Sequence, residues 1–138
     1  NNEDVIVVKP KTYMNLSGLA VKEISDFYHI DIKDILVVYD DKDIPFAALR
    51  LREKGNPGSH NGMKNITELL QSTDFYRIRV GIGTPMENQD MVDFVLSKFS
   101  SEELKVLDSS FNDVASSCDL FVKNDFNMAM NKYNFRKK

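Results

Sequence analysis

The sequence has few of the residues that build disulfides, metal clusters and membrane spans. Its 138 residues include one cysteine, Cys118, which excludes an intrachain disulfide and a cysteine-based zinc cluster. No apolar run approaches the ~20 residues of a membrane-spanning helix. The net charge of −3 gives no overall attraction to nucleic acid or anionic lipid, so a polyanion site would have to be a local patch. Cys118 lies in an apolar helical pattern and is expected to be an inert core thiol.

What is present is ordinary for a soluble globular protein. Hydrophobic residues make up 42% and charged residues 28% of the chain, enough for one domain over residues 1–138 with a sizeable core. The low cysteine content fits a reducing compartment, and we expect the cytoplasm. The chain opens with a turn-like Asn1–Asp4 stretch followed by an apolar strand, as in the second half of a hairpin. We therefore expect a segment before residue 1 and treat the domain as N-terminally incomplete.

Periodicity predicts an α/β fold class, with a mixed twisted sheet flanked by helices. The predicted order is strand, helix, strand, strand, helix, strand and then helices. Predicted strands cover residues 5–8, 35–39, 48–54 and 75–83. Predicted helices cover residues 13–28, 63 to about 72–74, 100–121 and 126–133. The third helix begins with a Ser100–Glu103 capping box and has a predicted core face of Leu104, Leu107, Phe111, Val114, Cys118 and Phe121.

The loop at residues 55–62, GNPGSHNG, carries three glycines, two asparagines and a histidine. It runs into a helix start, where free backbone N–H groups can meet a polar or anionic ligand. The alternative is a surface turn with Ser59 as the N-cap. Asn15, at the start of the first helix, is likewise either a cap or a ligand-binding amide. His29 is expected to serve only the helix end or the surface.

An acidic run, Asp40-Asp41-Lys42-Asp43, follows the apolar strand at residues 35–39. In open α/β sheets ligands bind beyond the carboxyl ends of the strands, so a carboxylate there can orient a base. A solvated acidic turn is the equal alternative. Together, Asp40, Asp43 and the three polar residues Asn15, His60 and Asn61 would suit water activation and carbonyl polarisation.

Basic residues alternate with apolar ones in two predicted strands. Arg50, Arg52 and Lys54 share one side of the first, and Arg77 and Arg79 lie opposite the apolar side of the second. The alternation in the first of these strands, with Arg50, Arg52 and Lys54, is typical of a solvated strand face. With Lys64 nearby in sequence, it would also suit a local basic patch on an acidic protein.

Four short motifs stand in order along the chain: TYMNLSG at residues 12–18, VYDDKD at 38–43, GSHNGMK at 58–64 and RIRVGIG at 77–83. In this order and with similar spacing, they resemble the motifs of bacterial-type peptidyl-tRNA hydrolase. The resemblance covers essentially the whole chain. It implies cleavage of the ester between a peptide and the 3′-terminal ribose of tRNA, with no metal or other cofactor. The implied partner is peptidyl-tRNA, and we expect a monomer with no membrane association.

The resemblance also implies roles for individual residues. Asp40 resembles the acid that orients the catalytic histidine, and Asn15 and Asn61 resemble the amides that hold substrate or position water. Tyr13 resembles the aromatic residue beside the tRNA end. The basic positions that would approach tRNA phosphates are Arg50, Arg52 and Arg79.

One motif of the family has no match in this chain. In the family the catalytic histidine follows the first strand, and no such motif occurs here. His60 resembles the histidine beside the substrate-binding asparagine and is not expected to be the base. The chain thus resembles the family fold with its first strand and catalytic-histidine loop missing, and these 138 residues alone are expected to be inactive or nearly so. A non-catalytic tRNA- or protein-binding relative is the second hypothesis, and an unrelated α/β protein the third.

Overall fold

The computed structural model of the chain describes residues 4–9, 17–55, 60–83 and 100–134. Helices and strands are interspersed along these residues, which confirms the α/β class. The helices are α1 (Ser17–Phe27), α2 (Asn61–Leu70), α3 (Ser101–Val122) and α4 (Phe126–Tyr133), with a 3-10 turn at Ile32–Asp34. The strands are β1 (Leu36–Asp41), β2 (Leu49–Arg52) and β3 (Tyr76–Gly81). None of these helices is both long and apolar enough to cross a membrane.

The three strands form one sheet in the order β1-β3-β2, with β3 in the middle. The Tyr76 amide donates to the Ile35 carbonyl at 3.1 Å, and the Ile82 amide donates to the Asp41 carbonyl at 3.1 Å. Residue numbers therefore rise together along β1 and β3, which makes this pair parallel. The parallel pair brings the carboxyl end of β1, with its acidic run, beside the end of β3.

The pairing of β3 with β2 runs the other way. The Gly81 amide donates to the Ala48 carbonyl at 2.8 Å, and the Gly55 amide donates to the Thr73 carbonyl at 3.3 Å. Residue numbers rise along one of these strands as they fall along the other, so β3 and β2 are antiparallel. The sheet therefore contains a parallel and an antiparallel pair and is mixed, as predicted. At Gly81 a side chain has no room, because an added Cβ would lie 2.8 Å from the Ile44 carbonyl oxygen.

The chain divides into two compact units. The first consists of Asn1–Val37 and Arg52–Arg77, and the second of Val38–Leu51 and Ile78–Lys138. In the first unit α1 packs on α2, and in the second α3 packs on α4. Among the described residues of the first unit, the buried apolar ones are Met63, Ile66 and Phe75. Those of the second unit are Ile44, Leu49, Leu51, Ile78, Val80, Leu107, Phe126, Ala129 and Tyr133. That residues 1–138 form a single domain remains a prediction.

A side-chain amide completes the outer side of β2. Asn134, the residue after α4, accepts a hydrogen bond from the Leu51 amide at 2.7 Å and donates one to the Leu51 carbonyl at 2.9 Å. One asparagine thereby makes the pair of bonds that a neighbouring strand residue would make. This ties the end of α4 to the sheet within the second unit.

The predicted strand at residues 5–8 is wrong. Residues 4–9 are neither helix nor strand, and the four apolar side chains from Val5 to Val8 are 39–81% exposed. The expected burial is wrong as well, because apolar composition does not supply the neighbouring strand that the backbone groups of a buried strand need. Among the described residues, none of the three strands pairs with this segment.

The predicted core face of α3 is partly wrong. Leu104 and Phe111 are each 51% exposed, whereas Leu107 is buried and the buried stripe continues through Ser110 and Ser117. Small residues allow close approach to the neighbouring backbone, and the Ser110 hydroxyl donates to the Ala47 carbonyl. Apolar spacing alone therefore selected the wrong side of part of this helix. The other three predicted core residues are half-buried: Val114, Cys118 and Phe121.

The ends of the helices follow local chemistry. The Ser100 hydroxyl accepts from the Glu103 amide at 3.1 Å, and the Glu103 carboxylate accepts from the Ser100 amide at 2.8 Å, which confirms the capping box. His29, just after α1, has a left-handed φ of 57°, as does Gln71, the C-cap of α2. A left-handed residue ends a helix, so His29 stands where a helix-terminal role was predicted.

Candidate active site

Asp40 is the second-last residue of β1, at the carboxyl end of a strand parallel to its neighbour. The prediction that the strand stops at Tyr39 is wrong, because the ladder bond from Ile82 to the Asp41 carbonyl extends it by two residues. Asp40 is half-buried. A carboxylate held by strand backbone has a fixed direction, which suits a group that must orient another.

Asp41, one residue further on, has a structural role. One of its carboxylate oxygens lies 3.1 Å from an Arg79 Nη, and the two side chains are 16% and 27% exposed. Its other oxygen accepts from the Asp43 amide at 2.8 Å and closes the turn after β1. Side chains alternate along a strand, so Asp41 and Asp40 point to opposite faces. Arg79 therefore binds the structural carboxylate on the face opposite Asp40.

His60 is the N-cap of α2. The predicted alternative of Ser59 as N-cap is wrong, because α2 begins at Asn61 and the His60 Nδ1 accepts from the Met63 amide at 3.1 Å. Ser59 itself lies outside the described residues. A neutral imidazole has one acceptor nitrogen, and here the helix backbone uses it. The Nδ1 acceptor of His60 is therefore engaged by the backbone of α2.

Asn61 is the first residue of α2, directly after the cap. Its backbone stands at a helix N-terminus, where free N–H groups and the helix dipole favour an electronegative ligand. Its side chain lies outside the described residues, as do Tyr13 and Asn15. Asp40 belongs to the second compact unit and Asn61 to the first.

The three predicted phosphate-binding arginines differ in their surroundings. Arg50 is half-buried in β2 and donates to the Leu49 carbonyl at 2.9 Å. Arg52, two residues later, is exposed. Arg79 is engaged with Asp41. Arg52 is thus the most accessible of the three, and Arg79 would have to exchange or share its partner to meet a phosphate.

Arg77, predicted to lie opposite the apolar side of its strand, is buried. It is 2% exposed, its guanidinium lies 4.5 Å from the centre of the Phe75 ring, and it donates to the Thr73 carbonyl at 2.7 Å. The sequence offered one signal, since Phe75 and Arg77 are two residues apart and so share a strand face. A cation on an aromatic ring belongs to the first unit's interior and is not part of a binding surface.

A cavity of about 220 Å³ lies in the second unit. Its walls include Ala47, Leu49, Val106, Ser110, Asp113 and Tyr133. None of the predicted site residues whose side chains the structure describes contributes to it. Nor do the described residues hold a group of three or more His, Cys, Asp or Glu side chains that could bind a metal ion.

The single thiol is poorly suited to chemistry. Cys118 is half-buried in α3, and desolvation raises its pKa, with the negative charge of Asp119 raising the pKa further. The thiolate is the nucleophilic form, so a raised pKa lowers reactivity. This agrees with an inert thiol in the helix.

Comparison with known proteins places the chain in a class of hydrolases. The family model described as peptidyl-tRNA hydrolase matches residues 1–138. A peptidyl-tRNA hydrolase of Mycoplasma capricolum is 46% identical over 135 residues, covering 97% of this chain and 73% of the relative. One of Clostridium botulinum (strain Alaska E43) is 48% identical over 133 residues, covering 96% of this chain and 69% of the relative.

A solved structure has the same fold. The crystal structure of peptidyl-tRNA hydrolase from Acinetobacter baumannii superposes with a TM-score of 0.84 at 35% identity. The match covers 93% of this chain and 65% of that one, so the chain spans about two thirds of the solved structure's length. The chain belongs to the peptidyl-tRNA hydrolase family.

Proposed function

We propose that this chain is part of an enzyme that hydrolyses the ester between peptide and tRNA in peptidyl-tRNA, so that the tRNA returns to translation. The observation that carries the proposal is the family match over residues 1–138, together with relatives 46–48% identical that bear this name. Four motifs in family order agree with it. Asp40 orients the catalytic histidine, and Tyr13, Asn15 and Asn61 bind the substrate.

The surroundings of Asp40 support its role. It is half-buried at the carboxyl end of a parallel strand, the usual place for ligands in such sheets. Arg79 pairs with Asp41 on the other strand face. The family resemblance identifies a histidine as the residue that Asp40 orients.

We further propose that these 138 residues alone hydrolyse peptidyl-tRNA slowly or not at all. The family's catalytic-histidine motif has no match in the sequence, and His60 uses its acceptor nitrogen to cap α2. A site with its binding groups but without its base keeps substrate affinity and loses most of its rate. The chain is therefore expected to bind a peptidyl-tRNA analogue without turning it over.

We assign Arg50, Arg52 and Arg79 to contacts with tRNA phosphates. Such contacts depend on charge more than on precise geometry, and they make binding sensitive to salt. Arg52 carries the largest share because it is exposed, and Arg79 the smallest because Asp41 holds it. We also propose that the protein acts as a monomer in the cytoplasm, which sedimentation and cell fractionation would test.

The experiment measures release of N-acetyl-phenylalanine from N-acetyl-phenylalanyl-tRNA. The protein encoded by the complete reading frame should catalyse the release, and Asp40→Asn should lower kcat/KM by about 100-fold or more. The 138-residue chain should show no release above the blank. If the 138-residue chain hydrolyses the substrate and Asp40→Ala abolishes this activity, the proposal that the chain alone is inactive is wrong. If the complete protein does not hydrolyse the substrate, the proposal that it is a peptidyl-tRNA hydrolase is wrong.

A non-catalytic tRNA- or protein-binding relative is the second candidate. The observation that favours it is the missing match to the catalytic-histidine motif. The gene sequence upstream of the Asn1 codon separates the two candidates. A coded strand followed by a loop with histidine and asparagine supports the enzyme, and a start codon immediately before Asn1 supports the binding relative.

A further inference from the structure

The start of α1 is joined to α2 by one short polar contact. The Gly18 amide donates to the Asn65 side-chain oxygen at 2.6 Å. A Cβ added at Gly18 would lie 2.7 Å from the Asn65 carbonyl carbon and 2.8 Å from its side-chain oxygen. The two helices therefore meet where one of them has no side chain, and only glycine permits this approach.

The bond satisfies a donor that α1 itself cannot. Gly18 is the second residue of α1 and is buried. Amides in the first turn of a helix have no acceptor within the helix, and a buried donor without a partner is costly. The Asn65 oxygen supplies that acceptor from the neighbouring helix, so the contact is directional as well as close.

Asn65 stands four residues after Asn61 on α2. Residues four apart lie on the same side of a helix, about 6 Å apart along its axis. His60 caps the first turn through the Met63 amide, and Asn65 fixes the next turn to α1. The turn that presents Asn61 is thus held at both of its ends.

We propose that Asn65 is a positioning residue for Asn61: by accepting the Gly18 amide, it holds the first turn of α2 in the place from which Asn61 meets the substrate. This inference rests on the proposed function. Removing the acceptor lets the first turn of α2 shift against α1, and displacements of about 1 Å can weaken productive contacts by up to 100-fold. The fold persists, because the apolar contacts of α2 do not depend on the amide.

The test measures binding of an acceptor-stem RNA minihelix that carries N-acetyl-phenylalanine on its 3′ end through an amide instead of an ester. In about 0.3 M salt, where added charge is screened, Asn65→Leu should raise the Kd of the chain about tenfold. Asn65→Asp retains an acceptor oxygen and should restore the Kd to within about threefold of wild type.

A double-mutant cycle separates positioning from stability. Asn61→Ala should weaken binding by itself, and Asn65→Leu should add nothing in that background, because the contact that it positions is already lost. Phe126→Leu is the matched control. Phe126 is buried in the second unit, so this variant should lower the Tm without changing the Kd.

Each outcome decides the inference. Wild-type affinity in Asn65→Leu, equal losses with and without Asn61, or a similar loss in Phe126→Leu would overturn it while the proposed function stands. If the wild-type chain does not bind the minihelix, the inference falls, whereas the proposed function is decided separately by hydrolysis with the protein of the complete reading frame. If Asn65→Leu does not fold, Asn65→Ser replaces it, since the serine oxygen is one bond too short to reach the Gly18 amide.

Discussion

In the part of the chain that the structure describes, two helix pairs are held together by different kinds of contact. In the first unit α1 meets α2 through a glycine and an asparagine amide, at 2.6 Å between donor and acceptor. In the second unit α3 meets α4 across a short turn, where the Phe121 and Phe126 rings make an edge contact with their centres 6.1 Å apart. The polar contact depends on direction, and the aromatic one on buried area.

The two kinds of contact differ in how precisely they fix the position of a helix and in how much they stabilise the fold. An apolar contact stabilises in proportion to the area that it buries and tolerates small shifts. A short hydrogen bond at a glycine contributes less free energy but permits only one arrangement of its partners. The predicted substrate residue Asn61 lies on the helix pair with the directional contact, where position matters more than total stability.

The largest effect should come from the aromatic pair. Phe126→Ala removes a buried ring and should lower the free energy of unfolding by about 3 kcal/mol or more, measured by urea denaturation. Met128→Ala, two residues away and 53% exposed, is the control and should change it by less than about 0.5 kcal/mol. If the two variants lower the free energy of unfolding equally, the buried Phe126 ring is not what stabilises the contact between α3 and α4.

The next largest effect should come from the close approach of α1 to α2. Gly18→Ala places a methyl group against the Asn65 backbone and should cost about 2 kcal/mol of unfolding free energy. Leu19→Ala, at the neighbouring 47% exposed position, should cost less than about 1 kcal/mol. A stable Gly18→Ala protein would show that the two helices can separate easily, which would also weaken the case for Asn65.

A smaller effect is expected at the cap of α2. His60→Ala leaves the Met63 amide without its acceptor and should lower the unfolding free energy by about 1 kcal/mol. His60→Asn keeps a cap acceptor and should recover most of that loss. If His60→Ala and His60→Asn melt at the same temperature, capping is not the role of this side chain.

The smallest change in the free energy of unfolding should come from the ionisation of Cys118. The direction of its pH dependence follows from the raised pKa of the thiol. The folded pKa of the thiol is raised, so the unfolded chain loses this proton at a lower pH than the folded chain does. Stability is therefore unaffected below the unfolded pKa and falls as pH rises through it. Alkylation by iodoacetamide at pH 8 should be slower in the folded chain than in urea. Equal alkylation rates in the folded and the urea-unfolded chain would show that the Cys118 thiol is exposed to solvent in the folded chain.

Local patterns predicted the elements that depend on local chemistry. The Ser100–Glu103 capping box and the bounds of α4 at residues 126–133 were read directly from the sequence, because a cap and a short amphipathic helix involve neighbours a few residues apart. The mixed sheet followed from the order of strands and helices. The prediction of a strand at residues 5–8 was wrong, because a strand must pair with another strand and the local sequence does not reveal whether one is available.

The candidate site divides in the same way. The position of Asp40 at a strand's carboxyl end followed from a short apolar run and the acidic residues after it. The pairing of Asp41 with Arg79, 38 residues apart, could not be predicted, since it depends on β1 and β3 lying side by side. The burial of Arg77 could not be predicted, because strand alternation reveals which residues share a face and not which face is buried. Asn65 had one available signal, its helical spacing from Asn61.

The Asn134 amide has a consequence for how the chain meets copies of itself. β2 is an outermost strand of the described sheet, and an exposed strand edge can recruit a strand from another molecule into a growing aggregate. Asn134 occupies both backbone groups of Leu51, near the middle of that edge. A strand from another molecule cannot form hydrogen bonds with the Leu51 backbone, because the Asn134 side chain already makes them. This one side chain therefore hinders the addition of a further strand at this edge of the sheet.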